Sequence, residues 1–310
     1  MKGRGWGRLL QVVLAIVVIG LALRSLLHNW NAVGALPLDW RLRPVPLIAS
    51  ALLIWACYAM LIESWRRVLR GLGHPISYLA AARIWTVASL GKYVPGKVWA
   101  VAGAVVLARE AGVPAGPAVT AALTLQGLAL ASGAAVIAAT LSSAPRIASA
   151  GASLHVAILI ALLALGGMAV LAWPAAVAWI NRRLPEQFAR LQPLPLWSLV
   201  LGFVANALAW FGYGFAFGLM ARGVLDGVNL SGLTATAVFT ASYLVGLVAL
   251  FAPGGVGPRE GILVLLLTPS TGARVALALA IASRLLLTIT ELGAALPFLL
   301  LPRERSRVAP

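Results

Sequence analysis

Four long windows without any Asp, Glu, Lys or Arg constrain the fold of this chain most strongly. They span residues 111–145, 147–181, 191–221 and 227–258. A helix needs roughly 20 apolar residues to cross a bilayer, so each window is long enough for a span. Charged residues make up only 10% of the sequence, against roughly 25% in a soluble domain. The sequence therefore predicts an all-α polytopic membrane protein, a single domain over residues 1–310 with about seven or eight transmembrane helices.

Two proline–glycine segments, residues 91–97 and 253–260, interrupt apolar runs. Proline removes a backbone donor and glycine permits angles that other residues avoid, so neither segment continues a helix. Broken helix at membrane depth is stable only where protein or a watery cavity covers it. The sequence leaves open re-entrant hairpins, a crossing helix broken in the middle, or, for the second segment, a surface turn. The break residues are Pro95, Gly96, Pro253, Gly254, Gly255 and Gly257.

One such break in each half of the chain is the kind of internal correspondence found in transporter repeats. The second break also has the residues of a helix start, because Pro258 suits the first helical position and Glu260 suits the first turn. A helix start presents free N–H groups to a phosphate, and Arg259 beside it can bind phosphate with two hydrogen bonds.

Ionisable residues near the breaks and in the last span are the candidate substrate-binding residues, because such residues are costly in a membrane and usually face a cavity. They are Arg83, Lys92, Lys97, Arg259, Glu260, Arg284 and Glu291. Arg284 and Glu291 share a helical face with Thr288, and we expect each to pair with a charge from a break, such as Glu260 or Arg83. Cations outnumber carboxylates, which favours an anionic lipid headgroup as the ligand. The alternative is purely structural, with Arg259–Glu260 as a local ion pair and Arg284 and Glu291 locking helices.

The net charge of +16 comes from short basic groups between spans, a pattern typical of membrane topology and of contact with anionic headgroups rather than nucleic acid. Lys2, Arg4 and Arg8 precede an apolar run at 9–23, which predicts an uncleaved first span with a cytoplasmic N-terminus in the plasma (inner) membrane of a bacterium. Residues 175–190 alternate on a helical period and predict an interfacial helix.

The sequence shows no acidic pair, no His/Cys/Asp/Glu ligand cluster and no phosphate-binding loop. We therefore expect no catalytic residue, metal or cofactor. Two rival functions remain open. One is an integral membrane glycosyltransferase-like enzyme, in which Asp39 would be the catalytic acid; the other is a non-transporting scaffold for a lipid-modifying partner.

Three motifs resemble one known family. Residues 63–69, 90–99 and 252–260 are similar, in order and spacing, to the lysylphosphatidylglycerol synthase transmembrane (flippase-like) family. The resemblance implies movement of a lipid between leaflets, and its matched positions are Pro95, Gly96, Pro253, Gly254, Gly255, Arg259 and Glu260. The sequence ends at Pro310 without a soluble synthase domain, so the expected function is that of a stand-alone translocator of a phospholipid or another lipid-linked anionic substrate.

Overall fold

The computed structural model describes residues 40–94, 98–140, 166–167, 170, 172–183, 193–249 and 252–300. Apart from an isolated β-bridge between Trp40 and Leu225, the regular structure of these residues is helical. The nine α-helices described are α1 Pro44–Gly71, α2 Tyr78–Ser89, α3 Val98–Glu110, α4 Ala115–Thr140, α5 Pro174–Arg183, α6 Leu196–Val224, α7 Gly232–Val248, α8 Pro258–Thr271 and α9 Ala273–Leu300. The predicted first span, most of the uncharged window at 147–181 and Asp39 lie outside the described residues. Pro95, Gly96 and Lys97 also lie outside them.

Four of the helices, α1, α4, α6 and α9, are long and apolar enough to cross a membrane. Each has 26 to 29 residues, more than the roughly 20 that a span requires. This confirms the predicted all-α membrane fold.

Helices α1 and α6 pack against each other in opposite directions. The Arg43 N–H donates to the Gly223 carbonyl at 2.8 Å, the Ser50 hydroxyl to Ala216 at 2.6 Å, and the Cys57 thiol to Ala209 at 3.8 Å. Residue numbers rise along α1 as they fall along α6, so the two helices are antiparallel. Small residues allow the close approach: a Cβ atom added to Gly212 would lie 2.4 Å from the Cys57 Sγ.

The first break is the tip of a helical hairpin. Helix α2 has 12 residues and α3 has 13, each shorter than a span, and a 3-10 turn at Leu90–Tyr93 follows α2. A Cβ atom added to Gly103 would lie 3.6 Å from the Ala88 Cα, and one added to Gly91 would lie 2.7 Å from the Ala100 nitrogen. Residues 88 and 91 therefore lie against residues 103 and 100, which are the same number of positions beyond the tip. This antiparallel pairing favours the re-entrant hairpin over a single broken helix.

The second break has the same form. Helices α7 and α8 have 17 and 14 residues and are joined through a 3-10 turn at Pro253–Gly255. A Cβ atom added to Gly246 would lie 2.8 Å from the Arg259 Cβ and 3.5 Å from the Gly255 Cα, so α8 turns back along α7. Gly254 and Gly257 adopt φ of 55° and 90°, values that glycine reaches without strain. Helix α8 begins at Pro258, as the sequence predicts.

The two halves of the described chain have the same element order and matching contacts. Each has a long helix, a hairpin and a second long helix: α1–α4 and then α6–α9. Helix α9 packs against α1 and α2, as α4 packs against α6 and α7, and the contacts of α1 with α2 and α4 match those of α6 with α7 and α9. Because α1 and α6 are antiparallel, the halves are inverted relative to each other, an arrangement known from secondary transporters.

Helix α5 comes between the two halves in the sequence. It corresponds to the first part of the predicted interfacial helix at 175–190. It begins at Pro174 and ends at Arg183, and residues 184–190 lie outside the described part of the chain. Val177 is buried, whereas Arg182 and Arg183 are exposed, so the described turns have the expected apolar and charged sides.

Candidate functional site

The two hairpin tips meet beside the middle of α9. The two 3-10 turns contact each other, and a Cβ atom added to Gly254 would lie 3.8 Å from the Lys92 carbonyl oxygen and 3.2 Å from the Arg284 Nη2. Arg284 is eleven residues beyond Ala273, the first residue of α9, or about 17 Å along the axis at 1.5 Å per residue. The tips therefore meet near the middle of the length of a helix that is long enough to span the membrane.

The first tip is fixed to α9 by Glu291. Lys92 forms an ion pair with Glu291 Oε1, while the Tyr93 hydroxyl lies 2.8 Å from Glu291 Oε2 and donates to it. The same hydroxyl lies 3.1 Å from Thr288 Oγ1. The carboxylate is buried, with 7% of its side chain exposed. A buried charge requires a partner of this kind, so these contacts hold the 3-10 turn on the α9 surface.

The second tip is fixed to α9 by Arg284. Its Nη1 lies 2.6 Å from Glu260 Oε1, and Glu260 Oε2 accepts the Gly257 N–H at 2.8 Å. Glu260 thus satisfies a free donor at the start of α8 and neutralises Arg284 at the same time. The Arg284 Nε is buried and has no hydrogen-bond partner among the described residues.

Arg259 is the buried cation at these tips whose charge no described carboxylate neutralises. Only 7% of the residue is exposed, and its Nη2 donates to the Ser283 hydroxyl at 2.9 Å. The guanidinium lies over the rings of Tyr243 and Phe239, with the Cζ 5.1 and 5.3 Å from their centroids. Contact with aromatic faces stabilises a cation by about 0.5–2 kcal/mol but leaves its charge in place. Arg259 therefore keeps an uncompensated positive charge at the hairpin tips.

These charges line one end of a cavity of about 460 Å³, within the usual range of roughly 300–1,000 Å³ for ligand sites. At this end lie Lys92, Tyr93, Arg259, Arg284 and Glu291. Much of the remaining wall is apolar or aromatic, and it includes two uncharged amides. These further lining residues include Trp65, Trp85, Val101, Leu123, Leu125, Gln126, Asn206, Trp210, Tyr213 and Tyr243.

Four of the seven residues predicted from the sequence line this cavity together: Lys92, Arg259, Arg284 and Glu291. Glu260 is not among the lining residues, but it forms an ion pair with Arg284. The break glycines Gly254 and Gly255 also contribute to the wall. The predicted residues thus converge from two hairpins and one spanning helix.

The structure does not bring Arg83 to the cavity. Arg83 is half-exposed on α2, two and a half turns before Lys92, and it is not among the lining residues. Glu291 pairs with Lys92 rather than with Arg83, and Glu260 pairs with Arg284 rather than with its neighbour Arg259. Lys97 lies outside the described residues.

The uncharged residues of the cavity carry little signal in the sequence. The amides of Gln126 and Asn206 lie in predicted spans, and their polarity within an apolar run is the one sequence signal that marks them. The ring of Tyr243 and the hydroxyl of Ser283, which hold Arg259, carry no comparable signal, because such residues are common inside membrane helices.

Two inverted helical units, membrane-spanning helices and a cation-rich cavity at two hairpin tips define an integral membrane protein with a buried polar binding site. The family model for the lysylphosphatidylglycerol synthase TM region matches residues 8–293. The chain belongs to this family, whose membrane proteins take part in lipid modification or translocation. A comparison with curated proteins gives no match.

Proposed function

We propose that this protein translocates a phospholipid or another lipid-linked anionic substrate across the plasma membrane, with the headgroup in the cavity at the hairpin tips. The observation that carries the proposal is the unneutralised charge of Arg259, buried and held between Tyr243 and Ser283. A buried charge is costly unless a partner compensates it, and an anionic headgroup supplies that partner.

The charge balance of the site supports a ligand with one negative charge. Lys92 is paired with Glu291, and Arg284 is paired with Glu260. Arg259 is left over, and a guanidinium binds phosphate oxygens through two parallel hydrogen bonds. A phosphodiester fits this set in charge and in hydrogen bonding.

The walls of the cavity suit the rest of a lipid. Val101, Leu123 and Leu125 also line it, and burial of apolar surface stabilises a bound chain by about 25 cal/mol per Å². A headgroup phosphate at Arg259 with acyl chains along this wall is the arrangement we propose.

We propose transport rather than catalysis because both carboxylates at the site are already engaged. Glu291 accepts from Tyr93 and pairs with Lys92, and Glu260 accepts from Gly257 and pairs with Arg284. Their roles are to hold the two tips on α9. In this proposal the partners are membrane lipids with anionic headgroups, and a lipid-modifying protein is a second candidate partner.

The test is lipid flip in proteoliposomes with fluorescent phospholipids of different headgroup charge. We expect flux of an anionic phospholipid above that of empty liposomes, and loss of most of it in Arg259→Ala. Arg274→Ala is the matched control, because Arg274 is exposed at the start of α9. Equal flux in the wild type and Arg259→Ala would refute the proposed site. Absence of flux for every lipid, from folded protein, would favour the scaffold function.

A further inference from the structure

We infer that the cavity contains a second, uncharged subsite, formed by Gln126 and Asn206, for a hydroxyl-rich part of the headgroup. The substrate class is then an anionic phosphodiester whose headgroup ends in a polyol or sugar, not in a cationic group. This inference rests on the proposed transport function and specifies its substrate.

The two amides retain unused hydrogen-bonding groups. Gln126 on α4 lines the cavity and makes no hydrogen bond to any described residue. Asn206 on α6 is 4% exposed; its Nδ2 donates to the Gly202 carbonyl at 2.8 Å, while its Oδ1 has no partner in the described part of the chain. An amide offers both donors and acceptors, which is the combination that hydroxyl groups require.

Two buried hydroxyls on α1 and α4 are also unsatisfied. The Ser64 Oγ and the Thr124 Oγ1 are buried without a hydrogen-bond partner among the described residues. Ser64 precedes the lining residue Trp65, and a Cβ atom added to Gly202 would lie 3.4 Å from the Ser64 Oγ. Neither Ser64 nor Thr124 is among the described lining residues of the cavity, so the two amides alone form the subsite.

The inverted arrangement places an uncharged amide and a cation at corresponding positions of the two halves. Gln126 is the twelfth residue of α4 and Arg284 is the twelfth residue of α9, and both line the cavity. The position that is cationic in the second half is thus a neutral amide in the first. The cavity wall therefore has one charged and one uncharged polar region.

A cationic headgroup finds no free acid in this cavity. Glu291 is the one carboxylate among the described lining residues, and Lys92 already neutralises it. A buried cation without a carboxylate partner is strongly disfavoured. The lining therefore discriminates against aminoacylated and zwitterionic headgroups.

Aromatic rings connect the two polar regions along the cavity wall. Asn206 lies one helical turn before Trp210. The Trp210 ring is 5.4 Å from the Tyr243 ring, which in turn lies 5.1 Å from the Arg259 guanidinium. Two aromatic rings thus lie between Asn206 and the anion site, so a headgroup that reaches both must extend past them.

The experiment compares flip of three fluorescent phospholipids in proteoliposomes. Phosphatidylglycerol carries one negative charge and two hydroxyls, and phosphatidylmethanol carries the same charge without hydroxyls. Phosphatidylcholine carries a quaternary ammonium beside its phosphate and has no net charge. We expect phosphatidylglycerol to move about fivefold faster than phosphatidylmethanol, the effect of about one hydrogen bond, and phosphatidylcholine to move slowest. Gln126→Ala should lower the phosphatidylglycerol rate to that of phosphatidylmethanol. Asn229→Ala, which removes an exposed amide between α6 and α7, is the matched control.

A variant that gains a new lipid preference distinguishes an effect on binding from a folding defect. Gln126→Glu supplies the missing carboxylate, so we expect it to raise phosphatidylcholine flux relative to phosphatidylglycerol, a change of preference that a folding defect cannot produce. Equal wild-type rates for phosphatidylglycerol and phosphatidylmethanol would overturn this inference while leaving anionic lipid transport intact. An unchanged preference in Gln126→Glu would also overturn it. Absence of flux for all three lipids would refute the proposed function and this inference with it.

Discussion

Lys92 and Glu291 are 199 residues apart in the sequence and form an ion pair inside the protein. Lys92 belongs to the tip of the first hairpin, and Glu291 belongs to the last spanning helix, where Tyr93 also donates to it. The pair therefore connects the inverted halves at the site where the cavity has its charges. Its partial exposure, 28% for the lysine side chain, leaves Lys92 in contact with the cavity.

We expect removal of one member of this pair to destabilise the protein more than removal of both. Lys92→Met leaves a buried carboxylate without its cation, which we expect to cost about 2–3 kcal/mol, below the 3–5 of a fully buried pair. The double variant Lys92→Met/Glu291→Gln removes both charges and should recover part of that loss. Unfolding in mixed micelles measures the free energies of unfolding of the wild type, the two single variants Lys92→Met and Glu291→Gln, and the double variant. Strictly additive losses would show that the two residues do not interact.

Close packing at the second hairpin predicts that Gly246→Ala disrupts the site. The added methyl group would lie 2.8 Å from the Arg259 Cβ, a distance that forces α7 and α8 apart and displaces the guanidinium. We expect reduced anionic lipid flux and a lower melting temperature. Gly261→Ala is the control, since a Cβ atom there meets no atom within 4 Å. Equal behaviour of the two variants would contradict the hairpin packing described above.

The ion pairs beside the N-terminal end of α1 should contribute little to stability. Asp226 pairs with Arg41 and Arg43, whose side chains are 72% and 54% exposed. Exposed pairs contribute about 0.2–1 kcal/mol and are screened by salt. We expect Asp226→Asn to lower the free energy of unfolding by no more than this amount, with a smaller difference at high salt. A loss comparable to that of Lys92→Met would contradict this assignment.

The single cysteine reports on packing between α1 and α6. Cys57 is buried, and its Sγ contacts the Ala209 carbonyl and the Gly212 region of α6. We expect it to react with a maleimide only after the helices separate. Mass spectrometry before and after addition of a denaturing detergent measures this directly. Rapid labelling of the folded protein would show that the α1–α6 contact opens under native conditions.

Local chemistry explains which features the sequence predicts. The spans follow from uncharged windows, and the start of α8 follows from Pro258 and Glu260, because these residues act within one helical turn. Arg284 and Glu291 are identifiable because a charge inside a span is costly. The match to the lysylphosphatidylglycerol synthase TM region over residues 8–293 confirms the resemblance that the break motifs indicate.

Pairing across long distances explains what the sequence leaves open. The choice of Lys92 for Glu291, and of Glu260 for Arg284, depends on how two hairpins meet, and no periodicity encodes that encounter. The aromatic contacts of Arg259 with Tyr243 and Phe239 are equally non-local. Gln126 and Asn206 gain significance only when packing places them at one cavity.

The inverted order of α1–α4 and α6–α9 has a consequence for sidedness. A backbone made of two such halves looks alike from either leaflet, so its helices alone set no direction. In the described residues the halves differ in their side chains: α9 carries Arg284 and Glu291, whereas α4 has no charged residue and holds Gln126 at the position of Arg284. For the transport function proposed above, this unequal distribution of charge between α4 and α9 is one source of a preference for inward or outward movement.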